Sequence, residues 1–386
     1  MIDVTAGIII LNKEAAVLAA DSAITFFHEG VKACTNGRKV FQISDTVAMM
    51  VYGNYRFMGV PWETIVHLYR QTMDPGAGAR AHAEGLMAFL DQEASLFPRE
   101  IEERYLEFQL YAYLRPIAEA LMGQEPRVAR EYIRSRLADW NGKDALLGMD
   151  AGDGERLAAT YKKSVDVAID LAFEEMHLSK GMRQNLQRMA QEMMVKSPEE
   201  EVSTFITGLA FAGFGEREAF PSTVLLAVQG KLEGRARWEV LGEAEVDHHH
   251  HAAIFPLAEG NRALGLLQGI DPHLEALLMQ SMAERLAALA NDISELVPSK
   301  RRTVDRLVKQ TGEAICNDAE DHMMEARFQP LQDIISVMCK QELARLAEEI
   351  IRLATFLSSV GATDSTVRGP LTVVTISKMD GMSWVD

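Results

Sequence analysis

Residues 5–22, TAGIIILNKEAAVLAADS, read with 37–45, GRKVFQISD, and 47–54, VAMMVYGN, decide the fold of this chain. GIIIL and AAVLAA are short runs of Ile, Leu, Val and Ala, and Asn12, Lys13 and Glu14 can turn between them. KVFQIS and VAMMVYG form a second such pair, with Ser44 and Asp45 at the turn. Continuous apolar runs bounded by turn residues read as buried strands. Connections this short favour antiparallel hairpins, because a parallel crossover consumes about a dozen residues or more. In this reading Asp21 ends the second strand, Lys39 lies on the third, and Gly53 closes the fourth.

Working outward, Pro61 opens a predicted helix, PWETIVHLYRQTM, which MDPGAG at 73–78 ends. Helical periodicity then dominates from Arg80 to about Met194. Pro116 is expected to begin or kink a helix, and the Gly-rich stretches within 142–154 to form loops. Strands return in VSTFITGLAFAGFG, PSTVLLAVQG, ARWEVLGEAEV and AAIFPLAEG. A helix starts at Asp271-Pro272 with Asp271 as its cap. Further helices are expected over 302–322 and 328–358, and LTVVTISK with GMSWVD forms a closing hairpin. The first and last strands are therefore expected as neighbours in one or two central antiparallel sheets. Helices cover them in a layered α+β fold. The expected organisation is a sandwich formed by 1–79 and 201–386, with 80–200 as a helical insertion.

The chain has 386 residues, 48% of them apolar, enough for a substantial core in one or two domains. A formal charge of −17 argues against nucleic-acid binding, which needs a basic footprint. Cys34, Cys316 and Cys339 are too widely spaced for a cysteine zinc motif and do not suggest a disulfide scaffold. The N-terminus does not read as a signal peptide, and no run of 18 uncharged apolar residues occurs. A cytoplasmic protein without membrane, nucleic-acid or cofactor partners is expected.

Thr5 carries the chemistry that this arrangement suggests. With residues 1–4 removed, it would present a hydroxyl nucleophile beside a free α-amine whose ordinary pKa is near 8, suited to act as general base. Lys39 could stabilise the developing alkoxide, and Asp21 could hold Lys39 or the threonine backbone. Gly53, at a strand end, could offer its backbone N–H to an oxyanion. The same residues also suit an ordinary sheet, with Thr5 as a strand residue, Lys39 at the surface and Asp21-Ser22 as a turn.

Together with the closing GPLTVVTISKMDG, these segments resemble the proteasome β-subunit and the related bacterial ATP-dependent peptidase subunit, both N-terminal-nucleophile hydrolases. The resemblance spans about 1–72, 203–295 and 345–386. It implies a four-layer α-β-β-α sandwich, peptide-bond cleavage by a freed N-terminal threonine, and assembly into closed rings. Thr5, Asp21, Lys39 and Gly53 fall at the positions of the family's nucleophile, aspartate, lysine and oxyanion glycine. Asp364, in ATDSTVRGP, matches the aspartate that supports the nucleophile's amine. The resemblance thus implies a homo-oligomer, a closed ring in the family, acting on peptide or protein substrates. Any ATP dependence would come from a partner. The chain departs from the family at Val4, where a glycine usually precedes the threonine. Ala23 replaces an arginine, Arg368 replaces a glycine, and the supporting serine has no clear match. A proteasome-like protein without catalysis, binding a partner through its helical insertion, is the alternative.

Other motifs read as structure. Asp247 and His248–His251 form a charged loop after a strand, because adjacent strand residues alternate faces and cannot converge on one metal. Met193, Met194, Met323, Met324 and Met338 are expected in the core. Lys300, Arg301 and Arg302 mark a helix start or loop. FAGFGEREAFPS at 211–222 lacks a P-loop's Lys-Ser/Thr ending and reads as a hairpin turn.

Overall fold

The computed structural model describes residues 6–28, 31–197, 205–258, 265, 267, 269–270, 272–361 and 369–385. In chain order, β1 (Ala6–Asn12), β2 (Ala15–Asp21), β3 (Ala23–His28), β4 (Val31–Asn36), β5 (Val40–Gln42) and β6 (Val47–Gly53) come first. The short strands β7 (Arg56–Phe57) and β8 (Val60–Pro61) lead into α1 (Trp62–Tyr69) and α2 (Ala79–Gln92). Then follow α3 (Arg99–Leu121), α4 (Pro126–Asn141), α5 (Ala151–Thr160), α6 (Lys162–Ala172) and α7 (Lys180–Val195). Strands return as β9 (Thr207–Gly213), β10 (Ser222–Leu232), β11 (Arg235–Glu245) and β12 (Ala252–Ala258). The chain continues through α8 (Pro272–Leu296), α9 (Arg301–Met323), a π-helical turn at Met324–Phe328, α10 (Gln329–Val337) and α11 (Lys340–Gly361). It closes with β13 (Leu371–Ser377) and β14 (Gly381–Val385). The fold is α+β, with helices and antiparallel sheets.

The described residues divide into two compact units, one of 6–37, 219–221 and 245–385, the other of 38–218 and 222–244. In the first unit the strand order is β12-β1-β2-β13-β14, so the opening and closing strands are neighbours as the sequence predicts. Ile8 and Ile10 of β1 and Val17 and Ala19 of β2 pack against Ile335 of α10 and Leu343, Ala347 and Ile351 of α11. Asn12 organises this end of the sheet. Its Oδ1 accepts the Glu14 and Ala15 amides, closing the β1–β2 turn, and its Nδ2 donates to the Ile335 and Met338 carbonyls. One buried amide thereby closes a turn and donates to two carbonyls at the end of α10. A β3–β4 hairpin, not expected from the sequence, pairs Ala23 with Asn36.

In the second unit the order is β11-β10-β9-β6-β5. Trp62, Ile65 and Val66 of α1 and Leu86 and Leu90 of α2 cover Met49, Val51, Phe211 and Leu226 of that sheet. Helices α3–α7 share a separate core around Leu114, Trp140, Ile169, Leu186 and Met194. Helix α2 therefore belongs with the sheet, while the bundle occupies 99–195.

Several local expectations change. Lys39 directly precedes β5 and does not lie within it. Pro116 sits inside α3, where buried Leu114, Ile117 and Ala118 hold the helix despite the lost N–H. The Gly-Asp-Gly at 152–154 forms the first turn of α5, because Asp150 and Asp153 close a capping box. Met324 is 53% exposed, while Met193 and Met194 are core residues. Asp271, the expected helix cap, lies outside the described residues. Asp247 shapes the β11–β12 connection by accepting the His249 and His250 amides, which hold its carboxyl far below the usual range.

Tyr69 and His82 provide a pH test of the second unit. The Tyr69 hydroxyl donates to the His82 carbonyl at 3.1 Å and lies 3.1 Å from Nδ1, while buried Nε2 has no hydrogen-bond partner. Burial lowers the imidazole pKa, against the opposing pull of Asp74. The unfolded chain takes this proton near pH 6.5, so below that pH it binds more protons than the folded chain. The stability of the neutral ring is complete above about pH 6.5 and is lost as pH falls through the folded pKa. Denaturation of the wild type should show this loss, and His82→Phe should flatten it. Parallel pH profiles would remove His82 as its source.

Candidate active site

Asp21 is 1% exposed and ends β2. Its Oδ1 accepts the Ala6 amide at 2.9 Å and its Oδ2 accepts the Ala23 amide at 3.0 Å. The pairing Gly7↔Ala20 brings the start of β1 alongside Asp21, and Leu371↔Asp21 places the start of β13 on its other side. A buried carboxylate needs such charge-assisted donors. The result fixes the residue immediately after Thr5. Thr5 and Asp364 lie outside the described residues.

Lys39 and Gly53 share the β5–β6 hairpin of the second unit. Lys39 is 4% exposed, which corrects the surface alternative, and its carbonyl accepts the Val51 amide at 2.8 Å. Gly53, two residues beyond Val51, has φ +73° and pairs with Thr207. A Cβ there would lie 2.8 Å from the Ile206 carbonyl oxygen. Both the left-handed backbone and this close approach require glycine, whatever the fate of its amide. Asp21 belongs to the first unit, and Lys39 and Gly53 to the second.

A buried polar network in the second unit was not anticipated from the sequence. Arg237 on β11 is 2% exposed. It donates from Nη2 to Gln109 Oε1 at 2.6 Å and the Gln229 carbonyl at 3.2 Å, and from Nη1 to the Met193 carbonyl at 3.3 Å. Burial depresses its pKa to about 10. Gln109 in turn donates to the Gln229 carbonyl at 2.7 Å. Glu102, 4% exposed, accepts from the Tyr161 hydroxyl and from the Glu233 and Gly234 amides. Glu233 and Gly234 both have positive φ, as a two-residue turn between β10 and β11 requires. Lys231 donates to the Leu90, Asp91 and Glu93 carbonyls at the end of α2. A cavity of about 20 Å³ adjoins Arg237, Gln229, Trp140 and Phe205. The network ties α2, α3 and α7 to the β10–β11 hairpin. Its signal in the sequence is Gln229 and Lys231 recurring two residues apart within an apolar strand.

Among the described residues, no group of three or more His, Cys, Asp or Glu side chains is placed to hold a metal ion. Among them, too, no helix is long and apolar enough to cross a membrane. No family model matches the chain, and no curated protein matches it.

Proposed function

We propose that the chain is a proteasome-like N-terminal-nucleophile hydrolase, built as a four-layer α-β-β-α sandwich and cleaving peptide bonds through Thr5 after removal of residues 1–4. The observation that carries this reading is the bond from the Ala6 amide to Asp21, which anchors the residue after Thr5 to the carboxylate expected beside it. Buried Lys39 and left-handed Gly53 on one hairpin are consistent with it.

In this mechanism the freed α-amine takes the Thr5 hydroxyl proton as Oγ attacks the substrate carbonyl. Lys39 stabilises the alkoxide, the Gly53 amide stabilises the oxyanion, and Asp21 and Asp364 support the lysine and the amine. The proton passes to the leaving amine. Water then hydrolyses the threonyl ester and restores the hydroxyl. No cofactor takes part, and the protein works as a ring-forming homo-oligomer.

The second reading is an inactive, proteasome-like interaction protein that binds a partner through its helical bundle. The backbone demand for glycine at 53 favours it, because that glycine needs no catalytic explanation. Intact-mass measurement of untagged protein separates the two readings. A mature mass beginning at Thr5, with labelling by a threonine-directed electrophile, is expected. A retained leader and no labelling would establish the inactive reading.

A further inference from the structure

Arg237 leaves part of its guanidinium unpaired. Nη1 and Nη2 donate to Gln109 Oε1 and to the Gln229 and Met193 carbonyls, all uncharged acceptors. Nε has no hydrogen-bond partner among the described residues. Glu102, the buried carboxylate of the same network, accepts the Tyr161 hydroxyl and the Glu233 and Gly234 amides instead. With its pKa depressed by burial only to about 10, the guanidinium is still a cation at neutral pH. A buried charge that bonds to no opposite charge is costly, and a small anion beside it would offset that cost.

Strand alternation turns Gln229 to the same side. Val228 of β10 and Ala236 and Trp238 of β11 join the core under α1 and α2. Gln229 and Arg237 therefore point to the other face, where Gln109 and the Met193 carbonyl meet the guanidinium. Gly230, with φ +123°, comes next in β10. A Cβ there would lie 2.7 Å from the Tyr105 ring and 3.6 Å from Arg237 Nη2, so glycine keeps the guanidinium's room against the strand. Gln229 is 2% exposed, and its Nε2, like Arg237 Nε, has no partner among the described residues.

Both side chains line the cavity of about 20 Å³. The other polar side chains on its wall are engaged. Gln109 bonds Arg237 and the Gln229 carbonyl, and the Trp140 indole N–H donates to the Tyr113 hydroxyl at 2.6 Å. Leu106, Leu110 and Phe205 supply apolar wall. A volume of this size holds one water molecule or one monatomic ion and excludes an oxyanion such as phosphate. Two unbonded donors beside an uncompensated positive charge select an anion over water.

We propose that this cavity is a binding site for one monatomic anion, chloride, held by Arg237 Nε and Gln229 Nε2 as the counter-charge of the buried guanidinium. This does not depend on the hydrolase reading.

The test is urea denaturation of the full chain in mixtures of sodium chloride and sodium gluconate at constant ionic strength, gluconate being too large for the cavity. A general salt effect appears equally in wild type and variants, so their difference reads the site. The wild-type midpoint should rise with chloride relative to the variants and then saturate, as binding to the folded chain requires. Gln229→Leu keeps the volume and the guanidinium but removes one donor. It should raise the chloride concentration for half the effect by about fivefold. Arg237→Met should abolish the response. Should that variant not fold, Gln229→Leu and a bromide-soaked crystal carry the test. Bromide, which scatters anomalously, should give a peak in the cavity at hydrogen-bonding distance from Arg237 Nε. The same chloride response in wild type and Gln229→Leu overturns the proposal. So does a wild type with no saturable response, or a water molecule in the cavity of the bromide-soaked crystal.

Discussion

Arg237→Ala should lower the unfolding free energy by about 3–5 kcal/mol. The guanidinium holds Gln109, the Gln229 carbonyl and the Met193 carbonyl around one buried cation. Alanine leaves Gln109 Oε1 and the Met193 carbonyl without this donor and enlarges the existing cavity. Each unsatisfied buried group costs about 1–3 kcal/mol, and the added void costs more. Part of this is offset, because removing the guanidinium also removes the cost of burying its charge. Arg237→Met separates the contributions. It fills most of the volume and carries no charge, so it should cost less than alanine, about 1–3 kcal/mol. A double-mutant cycle with Gln109→Ala should give a coupling of about 1 kcal/mol or more, since the two side chains share a 2.6 Å bond. Urea denaturation of the full chain, followed by far-UV circular dichroism, measures these four variants against the wild type. A loss below about 1 kcal/mol for Arg237→Ala would mean that α3 and the β10–β11 hairpin hold together without this network.

The contrast between Arg237 and Asp21 shows what the sequence makes legible. Asp21 could be picked out because it ends an apolar run at a turn, and the rule needed to read it is local. The strands around it were legible for the same reason, since AAVLAA and LTVVTIS can hardly be anything but buried strands. Arg237 gives no such signal. It stands in ARWEV among residues of an ordinary amphipathic strand, and its burial depends on Gln109, 128 residues away. Tyr161 is similar. It falls between α5 and α6, and its partner Glu102 lies 59 residues earlier. Gly53 is a third kind of case. Its position was read correctly from the strand end, but the sequence could not separate an oxyanion donor from a left-handed turn pressed against Ile206.

Thr5→Ala should abolish peptide hydrolysis, by about 10⁴-fold or more, because no other group in the proposed mechanism can carry the acyl intermediate. Thr5→Ser should retain a measurable part, since it keeps both the hydroxyl and, once freed, the amine. Asp21→Asn supplies the decisive companion. In the wild type each carboxylate oxygen accepts one backbone amide, from Ala6 and from Ala23. Asparagine keeps the shape but turns one acceptor into a donor, so one of these amides faces an N–H instead of an oxygen. A buried donor left in that state costs about 1–3 kcal/mol of stability. The cost falls at the start of β1, one residue from the nucleophile. If Asp21 only holds the strand, the variant should lose stability, while the correctly folded fraction keeps its kcat. If Asp21 also positions Thr5 and supports Lys39, kcat should fall by about 10²-fold or more at saturating substrate, with KM little changed. Intact mass should then show whether removal of residues 1–4 is impaired as well. An Asp21→Asn protein with reduced stability but wild-type kcat would confine Asp21 to the scaffold. Activity surviving Thr5→Ala would exclude the threonine mechanism outright.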